Sequence, residues 1–86
     1  MESASLRAAL ERMHETLEET DQIGAEERDV LIELDADIHR LLKSETSDAM
    51  GLHDRAQSIA LRFEAEYPRL AQIVEELAAT LGRMGI

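Results

Sequence analysis

Apolar residues recur along this chain in steps of three and four, and no stretch alternates apolar with polar. Leu6, Leu10, Met13 and Leu17 open the series. At about 100° per residue these four fall within about 60° of one another on a helix. That is the narrow seam of a coiled coil. Val30, Leu31, Leu34, Ile38, Leu41 and Leu42 cover a wider arc of about 120°, so the second helix has more partners and belongs at the centre of a bundle. Leu52, Ala56, Ile59 and Phe63 begin a third seam, which resumes after Pro68 as Leu70, Val74, Leu77, Leu81 and Met84. The commonest residues, Ala, Leu, Glu and Arg, are strong helix formers. The pattern predicts an all-α fold with no strand.

The expected organisation is a single domain over residues 1–86, with helices over about 5–20, 25–43 and 49–84. Ser5 or Ser3 caps the first helix. Glu26 and Glu27 suit the first turn of the second, where the helix dipole favours anions, and Lys43 suits its C-terminal end. Residues 44–51 (SETSDAMG) form the loop, with Ser47 or Asp48 as the next cap. Pro68, the one proline, admits two readings. It either opens a fourth helix at a first-turn position, which proline tolerates, or kinks one continuous helix at a cost of roughly 3 kcal/mol. Leu52 and Leu70 are 18 residues apart, about five whole turns, which keeps both seams on one side of a continuous helix and favours the kink. At the C-terminus, Gly85 at C′ with Leu81 and Ile86 in contact fits a Schellman ending. The competing use of Ile86 is as a docking tail for another protein.

The fold class is therefore a helical hairpin followed by a long Pro-kinked helix, or else a three- or four-helix bundle. A kinked last helix, roughly 50 Å long at about 1.5 Å per residue, would outrun the first two and leave its seam uncovered. A chain of 86 residues with no cysteine has little core of its own and no disulfide to staple it. Pairing into an antiparallel helical-bundle or coiled-coil homodimer resolves both problems. Its interface would use Leu52, Ile59, Phe63, Leu70, Leu77 and Leu81. Ile32 and Leu61, which point away from their own seams, offer a second contact surface.

Charge narrows the function. Nineteen acidic residues against nine basic ones give a formal net charge of −10. That sign repels phosphate backbones, so a nucleic-acid partner is not expected, and the short apolar runs predict no membrane span. No basic and apolar leader opens the chain, which predicts a cytoplasmic protein. Serines sit at helix starts as caps, and neither a nucleophile–base pair nor a phosphate-cradling loop is visible. The expectation is a non-enzymatic interaction or regulatory module without a cofactor, whose acidic surface engages a basic protein. The alternative is a metal site. Glu11 and His14 have the E-x-x-H spacing of carboxylate-bridged metal bundles, Glu18 lies one turn on, and a dimer would double the set. Asp35 and His39 form a further i, i+4 pair. Asp37, at the edge of the second seam, is expected to pair with an arginine across an interface.

Four segments carry a resemblance: LRAALERMHETLEETD, LIELDADIHRLL, RFEAEYPRL and the closing RMGI. In this order they resemble a family of short acidic bacterial proteins known only as a domain of unknown function. Phe63-Glu64, Tyr67-Pro68 with Leu70, and the final Met84-Gly85-Ile86 are the most specific pieces. The resemblance implies a helical bacterial protein of the cytoplasm and brings no activity, cofactor or partner with it.

Overall fold

Proline at position 68 ends one helix and begins another. The computed structural model describes residues 2–43 and 51–84, and these form four helices: α1 (Glu2–Glu19), α2 (Ala25–Leu42), α3 (Leu52–Phe63) and α4 (Pro68–Arg83). Tyr67, at φ −133° and ψ 66°, has left the helical region, as the residue before a proline is driven to do. Its N–H closes a last turn onto the Phe63 carbonyl at 2.7 Å, and its carbonyl accepts the first bond of α4 from the Ala71 N–H at 2.9 Å. Pro68 then occupies the first-turn position, where its missing N–H costs nothing.

The kinked helix expected over 49–84 is thus replaced by a corner. Shared phase does not separate the two readings, because the helices of a hairpin must also face their seams toward one interior. Energy does. Folding back buries Leu70, Val74, Leu77 and Leu81 completely, at roughly 1.5–3 kcal/mol each, whereas a straight course would expose much of that surface.

The helices form an antiparallel, up-down-up-down bundle. The Arg12–Glu76 and Glu19–Arg69 ion pairs run α1 against α4, Asp37–Arg55 and Glu27–Arg62 run α2 against α3, and His14–Asp35 joins α1 to α2. Sequence neighbours are neighbours in space, and α4 closes the ring onto α1. Principal extents are 34 × 20 × 19 Å. Small residues decide where backbones come closest. Ala56, Ala60, Ala71 and Ala78 are buried with α3 and α4 in close approach, while α2 stands further out and reaches the core through Leu31, Leu34 and Ile38. At the end where α3 starts, a Cβ added to Gly82 would lie 3.2 Å from the His53 ring, so the glycine admits the imidazole.

This closure answers the dimer argument. Leu52, Ile59, Phe63, Leu70, Leu77 and Leu81, expected at a homodimer interface, are buried in the chain's own core, and among the described residues only Ile32 (48%) and Leu61 (68%) stay exposed as large apolar residues. Because the fourth helix turns back at Pro68, one chain supplies both sides of the seam. Ser3 and Ser5 lie inside α1, whose first turn begins at Glu2. Gly24 precedes α2 and Lys43 caps it. Glu26 and Glu27 fall in its first turn. The Ser47 or Asp48 cap and the Gly85–Ile86 ending lie outside the described residues.

Candidate functional site

Asp35 sits on the side of α2 that meets α1, and two imidazoles bracket its carboxylate. His14 Nε2 lies 3.2 Å from Oδ2, and His39 Nε2, one turn along α2, lies 3.3 Å from Oδ1. Oδ1 is buried and receives no well-formed hydrogen bond, while both rings are more than half exposed. The α1–α2 groove beside the cluster, about 410 Å3, is lined by Arg7, Leu10, Glu11, His14, Glu15 and His39. Of the expected metal ligands, Glu11 and His14 share this groove, and Glu18 does not line it. Among the described residues no three His, Asp or Glu side chains are arranged to hold a metal ion. The E-x-x-H spacing placed Glu11 and His14 on one helix but could not foresee that Asp35, on another, would take the imidazole.

Asp37 does pair with arginines, within one chain. Arg55 reaches it from α3 and Arg40 from its own helix. The hydrogen bond from Arg55 holds its carboxyl below the ordinary value of 3.8; burial opposes this, and Arg40 adds to it. His53 lies 3.5 Å from Asp54 and against Gly82, a packing position. At the opposite end Tyr67 joins two turns: its hydroxyl oxygen accepts the Gly24 N–H at 3.2 Å and faces the Gln22 carbonyl at 3.5 Å. Its ring packs on Phe63, centroids 5.4 Å apart.

The end of the bundle that Tyr67 ties together carries much of the excess negative charge. Glu18, Glu19 and Asp21 finish α1, Glu26, Glu27 and Asp29 start α2, and Glu64 and Glu66 follow α3, against Arg28, Arg62 and Arg69. Some of these acids oppose local helix physics. The last turn of α1 contains no base, so Glu18 and Glu19 lie beside the negative pole of the helix dipole, an arrangement that costs about 0.3–1 kcal/mol per charge. Glu64 stands likewise as the C-cap of α3, and Glu66 follows in the turn to α4. Glu18, Glu64 and Glu66 make no ion pair among the described residues, whereas Glu19 meets Arg69 at 3.5 Å.

The model of one family, described as "Domain of unknown function (DUF4404)", matches residues 6–86. The chain belongs to that family. The match begins at Leu6, the first buried core residue, and takes in α2, α3 and α4 whole. It bears out the resemblance read from the segments at 6–21, 31–42, 62–70 and 83–86. No curated protein matches the chain, and no solved structure does. No helix among the described residues is long and apolar enough to cross a membrane.

Proposed function

We propose that the chain is a cytoplasmic, non-enzymatic interaction or regulatory module whose acidic end engages a basic protein partner. The observation that carries this reading is the placement of Glu18, Glu64 and Glu66 at the C-terminal ends of α1 and α3. Glu18 and Glu64 there oppose the dipoles of α1 and α3, and none of the three carboxylates has an ion-pair partner among the described residues. Local rules broken without internal compensation are the expected mark of a functional surface. A cationic partner would supply the missing charge and gain rate from long-range attraction.

Binding of a fluorescent oligo-arginine peptide at low and physiological ionic strength tests this. Replacing Glu18, Glu64 and Glu66 together by Gln should raise the midpoint of thermal unfolding and weaken peptide binding at least tenfold. A control set of Glu11, Glu15 and Glu75 changed to Gln removes the same charge elsewhere. Equal loss from both sets would mean diffuse attraction to a −10 chain and would sink the proposal. Partner capture from a native extract with the same variants then identifies the physiological ligand.

A further inference from the structure

Six of the nine bases in the chain are held in place: Arg12, Arg40, Arg55, Arg62 and Arg69 by carboxylates, and Arg83 against Thr80. The other three, Arg7, Arg28 and Lys43, make no ion pair among the described residues. Helical phase puts them on one face. Seven residues fall about 20° short of two turns, so Arg7 stands in line with His14 and Arg28 in line with Asp35, while Lys43 follows His39 by one turn. His14, Asp35 and His39 mark the seam between α1 and α2. Ile32 is seven residues before His39 and therefore on the same face. Close to the middle of α2 and 48% exposed, it has Arg28 and the exposed Ala36 one turn away on either side.

Charge on this face is graded along the bundle. Arg7 and Lys43 lie at the end where α1 starts and α2 stops, and Glu18 and Asp21 lie at the other. Glu11 offsets part of the first pair and Arg28 part of the second, which leaves the first end net positive and the second net negative. An isologous interface must complement itself. A two-fold axis crossing the helices at right angles sets each cationic end against the acidic end of the second copy, with Ile32 near the centre. The occupant this gradient fits is therefore another copy of the chain. A face 34 Å long and about 20 Å wide approaches the ~800 Å2 per partner of a specific complex. Leu61 is more exposed, but it points straight out of α3, about 160° from the direction of Phe63.

We propose that the α1–α2 face, centred on Ile32, is a two-fold interface between two copies of this chain. It joins finished bundles at their surfaces and shares no core. It shares Glu18 with the basic-partner reading and otherwise rests on different residues.

Sedimentation equilibrium at high micromolar concentration tests it. The wild type sediments at twice the 9.6 kDa chain mass, Ile32→Glu at the chain mass with unchanged helicity, and Leu61→Glu as the wild type. Charge reversal gives a second test. Arg7→Glu with Lys43→Glu, and separately Glu18→Lys with Asp21→Lys, each yield monomers, and mixing the two variants restores a dimer, because opposite signs again face each other. A monomeric wild type, a mixture that stays monomeric, or dissociation by Leu61→Glu in place of Ile32→Glu would overturn the interface. Retained peptide binding by the Ile32→Glu monomer would separate this result from the fate of the acidic end.

Discussion

Leu77 lies in the middle of α4 and is fully buried, on the helix that packs against both α1 and α3. Truncation to alanine removes apolar contact and leaves a cavity among residues that can only partly collapse, at a cost of about 2–5 kcal/mol. Domains of this size hold roughly 0.05–0.15 kcal/mol per residue in total, so the variant forfeits a large share of its stability. At about 4–8 °C per kcal/mol for a domain of 60–100 residues, a loss near ~3 kcal/mol lowers the unfolding midpoint by roughly 12–24 °C. The assay is thermal and urea unfolding followed by circular dichroism, for wild type and Leu77→Ala, over a roughly hundredfold range of protein concentration. If one chain closes its own seam, the difference between the two proteins does not change across that range. If a second chain covered Leu77, the difference would grow as concentration rose, because association stabilises by mass action and the variant would associate more weakly. A loss under about 1 kcal/mol, the range of surface substitutions, or a difference between the two proteins that grows with concentration would refute the four-helix closure.

Tyr67→Phe keeps the ring on Phe63 and removes the acceptor for the Gly24 N–H; it should cost about 0.5–1.5 kcal/mol and speed hydrogen exchange at Gly24. Gly51 holds φ at +88° before α3, so Gly51→Ala should lower stability by about 1–2 kcal/mol, read as a shift in urea midpoint. Asp37→Asn should cost under about 1 kcal/mol at neutral pH, since its arginine partners are about half exposed or more. Because the folded carboxyl titrates below its ordinary 3.8, its contribution is full above that value and is lost as pH falls through the lower folded one. The gap between wild type and Asp37→Asn in a pH series should therefore close on acidification. A gap that widens toward low pH would contradict the ion-paired geometry.

Much of the fold is legible in short-range pattern. The steps of three and four through Leu6–Leu17 and Val30–Leu42 specify α1 and α2 because a helix turns about 100° per residue whatever surrounds it. That periodicity picks out the large buried residues of all four helices but not the small Ala9, Ala60, Ala71 and Ala78, or Thr16 and Thr80. It also takes in Val30, Leu41, Leu42 and Met84, which are only partly buried, and Pro68 reads as a corner or a kink. Charge was equally plain: the seven residues from Glu15 to Asp21 include four acids and no base. The histidine cluster was only half visible. Asp35 and His39 share a helix, but His14 comes from 21 residues earlier and meets them only once α1 and α2 pack.

Helical content, seam positions and excess acid are thus properties of the chain read in order, because each depends on neighbours within a turn or two. Three-dimensional packing alone decided that the third seam would meet the fourth within one molecule. It also decided that Asp37 would find Arg55 and that His14 would find Asp35. Those outcomes depend on which buried surface is larger once Pro68 redirects the chain, and a periodicity that looks the same in a long kinked helix and in a hairpin carries no record of that choice.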